Sequence, residues 1–199
     1  MTKLVKPLAL ILGLGLVGGL VGTGAAWLMR TEKPAAEPVR SGPQVEEDVP
    51  GPFEPLTLNG RLPGQKDCQF CLNGRNPVAM IFARSLTGPV TTLIKKLDAE
   101  TAAHADAHMG SCVIFLSNDK SLPDKLKDLA GKEKIEHTVL GIYARDGPHE
   151  YKISKDAEVT VLLYREVVVK ANHAFGKGQL SDSAIDEVIA DLPKILAKG

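Results

Sequence analysis

Short apolar runs alternate along the chain with stretches in which apolar residues recur every three to four positions. The first run, at residues 77–83, is too short for a typical helix, residues 111–117 are rich in residues that favour strands, and residues 136–143 form a third such segment after two polar residues. They predict strands buried within a sheet. Between them, apolar positions at helical spacing predict two helices. These positions are Val90, Leu93, Ile94 and Leu97 in the first helix, and Leu122, Leu126, Leu129 and Ala130 in the second.

Capping residues mark where these helices begin. Thr87 suits an N-cap, and Pro89 is tolerated in a first helical turn. Ser121 opens the second helix, with Asp124 three residues on as a capping-box-like partner.

The last third of the chain changes pattern. Residues 158–164 and 167–175 read as two strands of an antiparallel hairpin, and a final helix begins near Ser181, with Pro193 expected to kink it. The whole order predicts an α/β sandwich, with a mostly parallel sheet covered on both faces and an antiparallel hairpin at one end.

The N-terminus predicts a membrane segment. Residues 7–29 carry no charge and exceed the roughly 20 residues that a membrane-spanning helix needs. We expect a transmembrane anchor or signal segment over residues 1–30, with the domain extracytoplasmic, on the periplasmic side of a bacterial membrane. A cleaved signal peptide is the alternative.

Proline and acidic residues dominate residues 31–55 and predict an extended linker, so residues 56–199 form the expected domain. Beyond Arg30 the chain has a net charge of −3. No concentrated basic surface is visible, so a nucleic acid is not an expected partner.

The order of elements over residues 53–196 resembles the thioredoxin-like superfamily, in particular its alkyl hydroperoxide reductase-like and membrane-tethered bacterial thioredoxin branch. The strand end Ile81-Phe82-Ala83 is similar to the family's strand before its redox turn. The resemblance implies a thioredoxin-like three-layer α/β sandwich with a mixed central sheet.

Two landmarks of that family are replaced here. Thr87-Gly88-Pro89-Val90 stands where the family carries its CGPC turn, and Val159 stands at its cis-proline position. The turn therefore cannot form a disulfide. The resemblance implies instead a binding surface for a peptide or protein, which we call the rim. It consists of Thr87, Gly88, Pro89 and Val159.

Cys68 and Cys71 form a CxxC pair upstream of this turn. The spacing brings two sulfurs together, and an extracytoplasmic site tolerates their oxidation. Lys66 and Arg75 favour a thiolate, whereas Asp67 opposes one. We predict thiol–disulfide exchange with a protein partner, in which Cys68, expected to be the more exposed thiol, attacks and Cys71 resolves.

Two other interpretations of this pair stay open. It can be a static disulfide that staples a loop while the rim binds a partner, or part of a zinc site with His104 and His108, which have i, i+4 spacing. Cys112, within a predicted strand, is expected to be buried and inert. The haem motif CxxCH and phosphate-binding glycine loops are absent from the sequence, so we expect no cofactor.

Overall fold

The computed structural model describes residues 38–196. The predicted membrane segment at residues 1–30, and the first part of the predicted linker, lie outside the described residues. Within residues 38–196, none of the helices combines the length and the apolar character needed to cross a bilayer.

Six strands form one mixed sheet in the order β1-β4-β3-β2-β5-β6. The strands are β1 Leu56–Thr57, β2 Val78–Ala83, β3 Gly110–Leu116, β4 Thr138–Tyr143, β5 Val159–Arg165 and β6 Val168–Phe175. The helices are α1 Gln69–Asn73, α2 Gly88–Ala103, α3 Leu122–Glu133, α4 Asp182–Ala190 and α5 Pro193–Leu196. Short 3₁₀ turns occupy Ala105–Ala107 and His149–Tyr151.

The centre of the sheet is parallel and its two sides are antiparallel. β2, β3 and β4 run parallel, with Val78 opposite Gly110 and Ser111 opposite Thr138. β1 pairs with β4, and β5 with both β2 and β6, in antiparallel fashion. The three predicted central strands and the terminal hairpin are confirmed.

The four helices α2 to α5 all cover the same face of the sheet. Val90, Leu126, Val188 and Ile195, one from each helix, belong to a single buried cluster on that face. The opposite face is covered mainly by irregular chain, including Phe53. The prediction of helices on both faces is therefore wrong for the second face, where the short helix α1 is the one α-helix among the described residues.

Residues 41–55, which the sequence assigned to the linker, pack against the domain. Val49 and Phe53 are buried, at 4% and 7% exposure, and the backbone around Glu47 hydrogen-bonds to Val169 on the edge of β6. The expected linker therefore does not extend beyond about Ser41. The two apolar side chains and these hydrogen bonds hold the segment on a face of the sheet that has few helices to cover it.

The element boundaries follow local chemistry. The Thr87 hydroxyl accepts the N–H of Val90 at 3.4 Å, which confirms the predicted N-cap of α2. Ser121 instead donates its hydroxyl to Asp119, so the capping box predicted with Asp124 does not form. Pro193 begins a separate helix, α5, and does not kink α4.

Candidate functional site

The CxxC pair lies at the start of α1. Cys68 is the N-cap residue, Cys71 lies within the helix, and a disulfide joins them, with their Cα atoms 5.3 Å apart. That separation is ordinary for a disulfide. The backbone N–H of Cys71 also donates to the Cys68 sulfur, at 3.1 Å. The pair therefore lies at the start of a short helix, and not in the loop that the interpretation as a static staple assumed.

The two cysteines differ in exposure. Cys71 is exposed, and Leu72 beside it is 47% exposed, whereas Cys68 is only partly exposed. Cys68 is flanked by Asp67 and Gln69, which are both buried against the domain. The prediction that Cys68 is the more exposed thiol is therefore wrong.

The charges beside the disulfide are mostly paired. Asp67, which was expected to oppose a thiolate, accepts a hydrogen bond from Arg61 at 2.8 Å. Arg75 is paired with Glu166. Lys66 has no carboxylate partner among the described residues. One expected acid and one expected base are therefore both paired, which leaves Lys66, among the described residues, as the unpaired charge next to Cys68.

Helix α1 is anchored on the face of the sheet opposite α2. Phe70 packs against the buried cluster on that face. The Asn73 side chain donates to the Gln69 carbonyl at 2.7 Å and occupies the space next to Gly110, where an added Cβ would lie 1.9 Å from the Asn73 Oδ1 atom. The anchored side of α1 thus leaves Cys71 and Leu72 facing outward.

A second site forms at the turn that replaces CGPC. Thr87, Pro89 and Val159 meet in a cleft of 330 Å³, which we call the rim cleft. Its other lining residues are Ser85, Val90, Glu158, Gly176, Lys177, Gly178 and Leu180. Gly88 is exposed and does not line it. No cis peptide bond occurs within residues 38–196, so Val159 follows a trans bond.

The disulfide and the rim cleft do not meet. Helix α1 leads into the start of β2, whereas Thr87 follows its end, and a six-residue strand spans about 17 Å. Lys66, just before the pair, bridges to Leu56 on the edge strand β1, and β4 and β3 separate that strand from β2. The fold therefore carries two distinct candidate sites.

The predicted histidine pair does not share a helical face. α2 ends at Ala103, His104 is its C-cap, and His108 follows a 3₁₀ turn in a left-handed conformation. Within residues 38–196, the His, Cys, Asp and Glu side chains form no group of three or more that could hold a metal ion. The prediction that His104 and His108 share a helical face is therefore wrong, because the helix ends before both of them.

Cys112 is a buried thiol within β3, as predicted. Burial raises its pKa to about 12, so the reactive thiolate is scarce at neutral pH. Cys112 is therefore the unreactive thiol with which the reactivity of Cys68 and Cys71 can be compared.

The mixed sheet and the helix that follows β2 define a thioredoxin-like α/β fold. Comparison with solved structures shows the same fold. A Bacteroides thetaiotaomicron protein assigned as a protein disulfide isomerase superposes with a TM-score of 0.59 at 15% identity, over 81% of this chain and 96% of that one.

Two proteins of Mycobacterium tuberculosis are similar to a comparable degree. Peroxidoxin BcpB gives a TM-score of 0.54 at 15% identity, covering 79% of this chain and 98% of its own. A secreted disulfide oxidoreductase homologous to E. coli DsbE gives 0.52 at 13% identity, covering 70% and 93%. Identities this low establish the fold alone. No protein-family model and no curated protein matches the chain.

Sequence reasoning missed several polar residues at both sites. Arg61, which neutralises Asp67, lies in a turn-rich stretch with no motif. Ser85 and Glu158 line the rim cleft and are hydrogen-bonded to each other, but they come from the ends of two strands that lie far apart in the chain. Only the strand pairing brings them together, so no local spacing indicated this contact.

Proposed function

We propose that this protein is a thiol–disulfide exchange protein whose reactive pair is Cys68 and Cys71. One observation carries the proposal. The disulfide lies at the protein surface with Cys71 exposed, whereas the third cysteine is enclosed in the core. Exposed disulfides are accessible to attack and are more easily reduced than enclosed ones. The substrate class is a protein that carries a dithiol or a disulfide.

The exchange assigns one role to each sulfur. A partner thiolate attacks the exposed Cys71 sulfur, the Cys68–Cys71 bond breaks, and Cys68 leaves as a thiolate that accepts the Cys71 N–H. A second thiolate of the partner then attacks the partner sulfur of the mixed disulfide, and Cys71 leaves as a thiolate. The partner gains a disulfide, and this pair gains two electrons and two protons. In the reverse direction the reduced pair reduces a partner disulfide.

Trapping experiments distinguish the two sulfurs. Full-length Cys68→Ser is expected to accumulate mixed disulfides through Cys71 because the resolving thiol is missing, whereas Cys71→Ser is expected to accumulate few. Non-reducing electrophoresis measures the trapped species, and Cys112→Ser is the matched control. Trapping by Cys71→Ser alone would reverse the roles, and a wild-type protein with no exchange activity would reject the function.

We further propose that residues 7–29 tether the domain to a membrane, on the extracytoplasmic, periplasmic side. Support comes from the uncharged length of that run and from an oxidisable surface CxxC pair, which suits a compartment that permits disulfides. Full-length protein is expected to stay in the membrane pellet after an alkaline carbonate wash and to be digested by protease added to spheroplasts. Release into the wash, or protection from the protease, would contradict this placement.

A second candidate function is the binding of a protein segment in the rim cleft. The 330 Å³ cleft favours it, because apolar side chains of Pro89, Val90 and Val159 meet there beside Lys177. In this case Cys68→Ser/Cys71→Ser retains partner binding. Pro89→Glu, which places a charge on the exposed wall of the cleft, abolishes binding, and Pro123→Glu in the first turn of α3 is the matched control. Equal binding by both proline variants would argue against this function.

A further inference from the structure

A polar cleft of 520 Å³ lies at the carboxyl ends of the three parallel strands β2, β3 and β4. Such strand ends are where ligands commonly bind in α/β sheets. The lining residues are Arg84, Ser85, Leu116, Ser117, Asn118, Asp119, Arg145, Lys155 and Glu158. Neither the exchange chemistry at Cys71 nor the rim cleft accounts for the three cations among them.

Arg84 is fixed in this cleft by three backbone carbonyls. Its Nε, Nη1 and Nη2 atoms donate to the carbonyls of Ala157, Arg145 and Ser154, at 2.9, 3.0 and 2.9 Å. A guanidinium has five N–H donors, so two remain without a partner among the described residues. Carbonyl partners hold the side chain in place but do not neutralise its charge. Arg84 therefore offers a fixed positive charge with two unused N–H donors, which suits a carboxylate.

The carboxylates in the cleft already have donors from this chain. Asp119 accepts the backbone N–H and the hydroxyl of Ser121, both at 2.8 Å, and its other oxygen lies 3.5 Å from Lys125. Glu158 accepts the Ser85 hydroxyl. Neither of these acids is hydrogen-bonded to Arg84.

The two other cations of the cleft are available to a ligand. The Arg145 guanidinium has no partner within residues 38–196. Lys155 lies 3.6 Å from Asp146, but both side chains are more than 80% exposed, and solvent weakens such a pair. The cleft therefore combines unused donors and positive charge from Arg84, Arg145 and Lys155.

The polar cleft and the rim cleft are contiguous, because Ser85 and Glu158 line both. A ligand that spans them presents an apolar group at Val90 and Val159 and an anionic group near Arg84. We infer that the polar cleft binds the carboxylate of an acidic side chain in a partner segment whose neighbouring apolar side chain occupies the rim cleft. This inference rests on the second candidate function above and does not require exchange at Cys71.

Peptide binding to the full-length protein tests the inference. The probes are fluorescent peptides in which Glu follows Leu by one, two or three positions, each matched by a peptide with Gln in place of Glu. In at least one pair the Glu peptide is expected to bind about tenfold more tightly, because charge-assisted hydrogen bonds to a guanidinium are strong. Arg145→Gln/Lys155→Gln should reduce this preference, because Arg84 is then the one cation among the described residues of the cleft that faces the carboxylate. Raised salt should reduce it as well.

The control variant, Lys127→Gln/Lys132→Gln, makes the same change of net charge on the exposed side of α3 and should keep the tenfold preference. Equal binding of Glu and Gln peptides to the wild type would overturn the inference while leaving the rim cleft as a binding site. The same preference in both double variants would also overturn it. Failure of every peptide to bind would reject the inference together with the second candidate function.

Discussion

Two buried tyrosines show how much a single hydroxyl contributes in this core. Tyr151 and Tyr164 both belong to the cluster under the irregular face of the sheet, with 1% and 0% exposure. The Tyr151 hydroxyl donates to the Gly51 carbonyl at 2.7 Å, whereas the Tyr164 hydroxyl has no partner among the described residues. Desolvation by burial raises the pKa of both, so each hydroxyl stays protonated and needs an acceptor.

The two tyrosines therefore predict opposite mutational outcomes. Tyr151→Phe should lower the free energy of unfolding by about 1 kcal/mol, because the hydrogen bond from the Tyr151 hydroxyl to the Gly51 carbonyl is lost. Tyr164→Phe should leave it unchanged or raise it, because an unsatisfied buried hydroxyl is removed. Urea denaturation of the full-length variants measures both. A loss of about 1 kcal/mol or more in Tyr164→Phe would mean that its hydroxyl has a partner.

At the scale of elements, α1 is the feature that links the disulfide to the rest of the fold. A helix of five residues is too short to be stable alone, so its anchors matter. Phe70 holds it to the sheet, and the Asn73 side chain fills the space that Gly110 leaves at the start of β3. This contact explains why a glycine begins a strand whose other residues are all buried.

Gly110→Ala is expected to disturb α1. The added methyl group would lie 1.9 Å from Asn73 Oδ1, so the Asn73 side chain must move, at a cost of about 1 to 3 kcal/mol for overpacking. In the Asn73→Ala background the same substitution should cost clearly less, because the clashing atoms are absent. A double-mutant cycle by chemical denaturation measures this coupling. Equal costs in the two backgrounds would refute the contact.

Elements with a strong local signal could be predicted from the sequence, and those held by tertiary contacts could not. The N-cap Thr87 and the apolar positions of α2 gave its start correctly. Helix α1 has only Phe70 as an apolar anchor, so it has no periodicity to detect. Residues 41–55 read as a linker because their prolines are visible in the sequence, whereas the sheet face that receives Val49 and Phe53 is not.

At the scale of the whole molecule, the sheet separates two sites that lie close together in the sequence. The chain passes from the disulfide into β2 and leaves it at the rim cleft, so the length of that strand lies between them. The fold could be predicted from the sequence, and Cys68, Cys71, Thr87, Pro89 and Val159 could be selected there as candidate site residues. The polar cleft could not, because Arg84, Arg145 and Lys155 come from three separate loops that only the folded sheet brings together.

The central claim is that the Cys68–Cys71 disulfide exchanges electrons with partners and is more than a staple for α1. The measurement that tests it most directly is the reduction potential of this pair in the folded, full-length protein, by equilibration with glutathione buffers and mass-spectrometric counting of free thiols. We predict a potential between about −270 and −120 mV, the range of thiol–disulfide exchange proteins. A disulfide that stays oxidised in these buffers, with a potential below about −300 mV, is structural and would contradict the account.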